Sequence, residues 1–76
     1  MMTVGDAVAK IMELPQVYDV TLKARDGYME CHILYKKSAF CYHQKTVIFP
    51  NSNDTYMTTY AYWDAARTIR QAVRAA

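Results

Sequence analysis

The chain has 76 residues, of which 53% are hydrophobic, and it carries 9 basic against 7 acidic residues. This length predicts one small domain over residues 1–76, with no room for a second. The hydrophobic content and low net charge exclude an intrinsically disordered chain. No apolar run approaches the roughly 20 residues of a membrane-spanning helix. A net charge of +2 is too small to indicate nucleic acid by itself.

The N-terminal segment favours an intracellular, cytoplasmic protein without membrane association. Asp6 and Lys10 interrupt the apolar stretch that a secretory signal requires. Cys31 and Cys41 are the only cysteines, too few for a disulfide framework. We expect Cys31 to face inward and Cys41 outward, which would keep the two thiols from pairing.

Residues 3–14 have the pattern of a short amphipathic helix. Thr3 and Asp6 have the spacing of a capping box, and Pro15 disfavours helical geometry at the preceding residue. The predicted apolar face recurs at helical spacing and consists of Val4, Ala7, Val8, Ile11 and Leu14.

Residues 17–36 predict a β-hairpin about Asp26-Gly27, because both turn positions accept a positive φ. This turn places Arg25 opposite Tyr28, Leu22 opposite Cys31 and Val20 opposite Ile33. The resulting apolar face comprises Tyr18, Val20, Leu22, Ala24, Met29, Cys31, Ile33 and Tyr35.

Residues 39–49 predict a third strand after a tight turn around residues 36–38. Either two-residue register places Phe40 and Tyr42 on the apolar face, with Phe49 ending the outer face. Ala39, Cys41, His43 and Lys45 then face outward. Residues 55–59 suit either a short fourth strand or the approach to a helix.

The last helix is predicted to begin near Thr58 or Thr59 and to run towards Ala76. Its core face consists of small and apolar residues: Tyr62, Ala65, Ala66, Ile69, Ala72, Val73 and Ala76. The predicted fold is α+β in the order α-β-β-β-α, an antiparallel three-stranded sheet with both helices on one face.

A second stripe on this helix comprises Tyr60, Trp63, Arg67, Arg70 and Arg74, roughly 140° from the core face at 100° per residue. Tryptophan, tyrosine and arginine are typical of interface hot spots, and the same set would suit a phosphate backbone with a stacked base. Two alternatives stay open: arginines late in a helix are commonly only solvated, and residues 50–57 would cover Trp63 if they folded over it.

Four metal-ligating side chains, Glu30, His32, Cys41 and His43, share one outer patch in the tighter register of the third strand. No CxxC or HExxH spacing supports a metal site, and the alternative register disperses the four. We therefore expect a polar, solvent-facing surface and no metal or other cofactor.

The sequence predicts a protein that is not an enzyme. No Ser or Cys has a recognisable activating partner, and the seven acidic residues are scattered along the chain. The order of elements is similar to that of double-stranded RNA-binding domains, but the last helix has no Lys or Arg before Arg67. The similarity therefore covers only the topology, and we do not expect a reader of double-stranded RNA.

We therefore expect a small binding protein that docks on a protein or on a protein–nucleic acid complex, with the aromatic and arginine stripe as its contact surface. Small accessory proteins of phages and mobile elements often inhibit a host complex in this way. Direct binding of nucleic acid through the same stripe is the alternative, and a homodimer through the stripe or a sheet edge is a close variant.

Overall fold

The computed structural model describes residues 2–38, 40–50 and 55–74, with side chains as far as Ala72. The elements are α1 (Val4–Met12), β1 (Val17–Arg25), β2 (Tyr28–Ser38), β3 (Cys41–Pro50) and α2 (Thr55–Arg74). The strands form one antiparallel sheet in the order β1-β2-β3. The α+β architecture predicted from the sequence is confirmed.

The capping box at the start of α1 is formed. The Thr3 hydroxyl accepts a hydrogen bond from the backbone N–H of Asp6 at 3.1 Å, and the Asp6 carboxylate accepts one from the N–H of Thr3 at 3.3 Å. These bonds satisfy backbone donors that a helix N-terminus otherwise leaves without partners. Ala7, Ile11 and Leu14 are buried, so the predicted apolar face is the one that packs into the core.

The β1–β2 hairpin has the predicted register, with Arg25 opposite Tyr28, and Gly27 has the positive φ of 83° that the turn requires. A β-bulge near the start of β1 brings Val17, rather than Tyr18, opposite Tyr35. Tyr18 is therefore 71% exposed, and its assignment to the core was wrong. Leu22 was also assigned to the core but is 41% exposed.

The predicted β2–β3 register was wrong. The structure pairs Lys36 with Tyr42 and Ser38 with Cys41, so β2 runs two residues farther than predicted. Because side chains alternate along a strand, a register error of an odd number of residues exchanges the two faces. Phe40 and Tyr42, predicted to be in the core, are 98% and 49% exposed.

The core on β3 is formed instead by Val47 and Phe49, which was predicted to face outward. Val47 lies opposite Cys31 and Phe49 opposite Met29, beneath the helices. Pro50 is tolerated at the end of β3 because this is an edge strand, where a missing N–H breaks no ladder.

Helix α2 begins at Thr55, three residues before the predicted start, so residues 55–59 are helical and form no strand. The Thr59 hydroxyl donates to the Thr55 carbonyl at 2.6 Å and accepts from the backbone nitrogen of Met2 at 3.3 Å. The buried face of α2 consists of Thr58, Tyr62, Ala65, Ala66 and Ile69. The side chains of Val73 and Ala76, also predicted for this face, lie outside the described residues.

Both helices pack on the same face of the sheet, α1 against β1 and α2 against β2 and β3, and they contact each other. Helix α2 starts near the end of β3 and returns along that strand, since the Lys45 ammonium meets the Asp64 carboxylate at 3.0 Å. This arrangement buries the small face of α2 against the sheet and directs the opposite face to solvent.

Candidate functional site

The aromatic pair of the predicted stripe lies on the solvent-facing side of α2. Tyr60 is 62% exposed and Trp63 is 57% exposed. Their ring centroids are 5.8 Å apart at an interplanar angle of 87°, an edge-to-face arrangement that fixes the two rings relative to each other. Trp63 therefore belongs to the surface rather than to the core.

The arginines continue the same surface towards the C-terminal end of α2. Arg67 and Arg70 are exposed, one and two turns beyond Trp63. Arg74 is the last residue of the helix, and its side chain lies outside the described residues. The structure thus brings together the four predicted members whose side chains it describes, and we call Tyr60, Trp63, Arg67 and Arg70 the α2 stripe.

Tyr56 extends the stripe by one turn, and sequence reasoning missed it. It lies four residues before Tyr60 on α2 and is 67% exposed. The predicted start of the helix at Thr58 or Thr59 excluded Tyr56 from any helical face. The i, i+4 spacing of the two tyrosines was the available signal.

Asp64 ties the stripe to the sheet. One carboxylate oxygen is 3.0 Å from the Lys45 ammonium, and the other is 3.6 Å from the Arg67 guanidinium. The hydrogen bond from Lys45, followed by the positive charges of Lys45 and Arg67, holds the pKa of Asp64 below its usual value. The Arg67 side chain is nevertheless 71% exposed, so it keeps most of its donors in water.

A shallow groove of about 830 Å³ runs along the stripe, lined by Tyr60, Trp63, Arg67, Arg70 and Gln71 among others. A second groove, of about 500 Å³, lies where α1 ends beside α2 and is lined in part by Lys10, Glu13 and Arg70. Arg70 borders both grooves and so lies within reach of a ligand on either side.

The four candidate metal ligands are separated in the structure. Glu30 and His32 lie on the outer face of the sheet, whereas Cys41 and His43 lie on the same face of β3 as the buried Val47 and Phe49, because the observed register exchanges the faces of that strand. Within the described parts of the chain, no group of three or more His, Cys, Asp or Glu side chains is placed to hold a metal ion.

His32 takes part in a polar network instead. Its Nδ1 is 2.8 Å from the Gln44 amide nitrogen and 3.2 Å from the Thr46 hydroxyl, and its Nε2 is 3.7 Å from the Glu30 carboxylate. Arg25 donates to Glu30 at 2.9 Å, and chiefly this hydrogen bond lowers the pKa of Glu30. These contacts join all three strands across the outer face.

The two cysteines are free. Burial raises the pKa of the Cys31 thiol to about 11, so this thiol is neutral and unreactive in the folded protein. The predicted separation from Cys41 is confirmed, although for a different reason. Cys31 lies opposite Val47, six positions along β3 from Cys41, which corresponds to a distance of about 20 Å at the rise of a strand.

Comparison with known proteins identified no matching family model, no similar curated protein and no similar solved structure. Neither helix, over its described residues, is long and apolar enough to cross a membrane. The fold therefore defines the class, a small α+β protein.

Proposed function

We propose that this protein is a non-catalytic binder that docks on a protein partner through the α2 stripe. The observation that carries the proposal is the exposed edge-to-face pair of Tyr60 and Trp63, which continues directly into Arg67 and Arg70. A binder of this size acts by occupying a site on a larger partner.

The chemistry of the stripe supports an interface. Tryptophan, tyrosine and arginine dominate the binding energy of protein interfaces because they bury a large area and still reach polar partners. Leaving Trp63 more than half exposed forgoes burial that a core tryptophan would gain. The contact between the two rings also reduces the side-chain entropy that would be lost on binding.

The charge pattern favours a protein over a nucleic acid at this surface. The Asp64 carboxylate borders the stripe and is bound to both Lys45 and Arg67. A phosphate placed here would have to compete with this carboxylate for Arg67, whereas a protein surface can offer both an acceptor for Arg70 and a donor for Asp64.

The test is affinity capture of the tagged protein from its native host, comparing wild type with the double variant Trp63→Ala/Arg67→Ala. We expect the variant to lose a partner that the wild type retains, because truncating a hot-spot residue typically weakens binding by about 2 kcal/mol or more. The matched control is Tyr18→Ala/Lys23→Gln, which removes another exposed aromatic ring and another exposed basic residue on β1.

Three outcomes would contradict the proposal. Equal loss of the partner in both double variants would indicate a general effect of charge and exposed rings. Loss of cooperative unfolding in the Trp63 variant would place this residue in the core. Retardation of DNA or RNA that depends on Arg67 and Arg70 would identify the stripe as a nucleic-acid surface, which is the alternative function.

A further inference from the structure

The β2–β3 hairpin projects beyond the rest of the sheet. The ladder between β1 and β2 ends at Val17 and Tyr35, followed by one hydrogen bond from the Lys36 N–H to the Gln16 carbonyl at 2.8 Å and by an edge-to-face contact of Tyr42 with Tyr18. The strands β2 and β3 stay paired as far as Ser38 and Cys41. We call residues 36–43 the arm. Of its described side chains only that of Ser38 is partly buried, and the others are exposed.

The arm is basic and has no acidic neighbour in sequence. Residues 31–53 contain no Asp or Glu, although they contain three lysines. Lys36 and Lys37 form no ion pair with any described residue, in contrast to Lys45 and Arg25, which are bound to Asp64 and Glu30. Two unneutralised ammonium groups on a projecting ribbon favour an anionic ligand.

Phe40 lies at the end of the arm, between the paired residues Ser38 and Cys41, and is 98% exposed. Nothing in the described chain covers this ring, so it contributes no burial to the fold. An aromatic ring at this position, with lysines behind it, can contact bases while the ammonium groups bind phosphates.

We propose that the arm is a DNA-binding element that inserts into a groove of duplex DNA. Lys36 and Lys37 bind the phosphates, and Phe40 contacts the bases at the floor of the groove. A two-stranded β-ribbon fits the major groove of B-form DNA, which is about 12 Å wide. The major groove of A-form RNA is too narrow for such an element, so the fit selects DNA.

This proposal is independent of the protein-docking function. The arm is formed by β2 and β3, whereas the stripe lies on α2, so the two surfaces belong to different elements. In the stripe, Arg67 is paired with the neighbouring Asp64 carboxylate, whereas the arm contains no acidic side chain. A phosphate backbone is therefore better matched by the arm than by the stripe.

The experiment measures fluorescence anisotropy of a labelled DNA duplex over a series of salt concentrations. The test variants are Lys36→Gln/Lys37→Gln and Phe40→Ala. The matched control is Lys10→Gln/Lys23→Gln, which removes the same total charge from exposed positions elsewhere. All four side chains of the two lysine pairs are exposed, so circular dichroism should show unchanged folding.

We expect the wild type to bind the duplex at low salt. Lys36→Gln/Lys37→Gln should lower the slope of log affinity against log salt by about 2. It should also weaken binding roughly tenfold for each lysine removed near 50 mM salt. Phe40→Ala should weaken binding about fivefold without changing the slope, because the ring buries apolar area against base edges but releases no counterions. The control pair should retain the wild-type slope.

Several results would overturn the proposal. Absence of duplex binding at low salt would do so, as would equal slope changes in the two lysine pairs or a Phe40→Ala affinity equal to that of the wild type. Binding that survives in the arm variants but is lost in Arg67→Gln/Arg70→Gln would move the DNA site to the stripe. Arm-dependent binding to phosphatidylserine vesicles, with none to the duplex, would identify a lipid surface instead.

Discussion

Truncation of Phe49 to alanine tests which face of β3 packs into the core. Phe49 is 0% exposed and is among the largest fully buried side chains. Removing a buried phenylalanine ring typically costs about 3–5 kcal/mol. A domain of 76 residues is expected to unfold with a free energy of about 4–11 kcal/mol. Phe49→Ala should therefore remove between about a quarter and all of the stability.

The assay is guanidinium unfolding followed by far-UV circular dichroism. Phe49→Leu provides a graded variant, because it leaves most of the volume filled and should cost about 1.5 kcal/mol or less. A loss of this size lowers the Tm of a small domain by roughly 5–10 °C. The matched control is Phe40→Ala, which removes the same ring from a position that is 98% exposed and should change stability by less than about 0.5 kcal/mol.

The comparison between the two phenylalanines can refute the face assignment. Equal destabilisation by the two alanine variants, or a larger loss at Phe40, would show that the even-numbered side chains of β3 face the helices. The register predicted from sequence would then be correct. A stable Phe49→Ala protein with a wild-type midpoint would contradict the assignment equally.

Three further outcomes are expected. Thr3→Ala should lower the unfolding free energy measured by chemical denaturation by about 1 kcal/mol, because it removes the N-cap of α1. Thr3→Ser should keep most of the wild-type stability, because serine can also cap the helix. Since Lys45 holds the pKa of Asp64 below 3.8, the folded state binds fewer protons than the unfolded chain in acid. The stability advantage of wild type over Asp64→Asn should thus be present at neutral pH and disappear as the pH falls below 3.8. An equal difference in unfolding free energy between the two proteins at neutral and at acidic pH would contradict the ion pair. A thiol reagent at neutral pH should modify Cys41 alone in the native protein and also Cys31 after denaturation, and rapid labelling of both in the native state would place Cys31 at the surface.

The β1–β2 hairpin could be predicted in register because a two-residue turn fixes which residues face each other. The turn at Asp26-Gly27 determines which residues of β1 and β2 share a face of the sheet. In that register the opposite charges of Lys23 and Glu30 meet on one face. The bulge at Tyr18 was not predictable from this pattern, because alternation continues unchanged through it in the sequence. Only the contact of Val17 with the core decides where the extra residue lies.

The face of β3 could not be predicted because this strand contains two competing apolar pairs. Phe40 and Tyr42 occupy even positions, while Val47 and Phe49 occupy odd positions. Moving the β2–β3 turn along the chain changes the register and so decides which of the two pairs faces the core. Residues 36–38 form a plausible turn by sequence, but in the structure the turn follows Ser38. The position of α2 over the far end of β3 decides in favour of Val47 and Phe49.

The candidate site on α2 was predicted more successfully than the sheet. The exposure of Tyr60 and Trp63 follows from helical spacing, which is the same wherever the helix begins. The start itself was misplaced because Thr58 and Thr59 are both suitable N-caps, whereas in the structure they lie inside a helix that begins at Thr55. That ambiguity is also why Tyr56 was not recognised as part of the stripe.

The projection of β2 and β3 beyond β1 implies that stability is not uniform along the sheet. Amide protons near Ile33 and Val47 lie in the part of the sheet that packs against α2 in the core, so they should exchange with solvent only on global unfolding. The Lys36 amide donates to the Gln16 carbonyl at 2.8 Å, but beyond it the arm is held only by the pairing of β2 with β3, so its amides should exchange through local opening at a much lower free energy. The arm can therefore separate and close again while the core remains folded, and a ligand held between or beside its strands would slow exchange there without affecting exchange near Ile33.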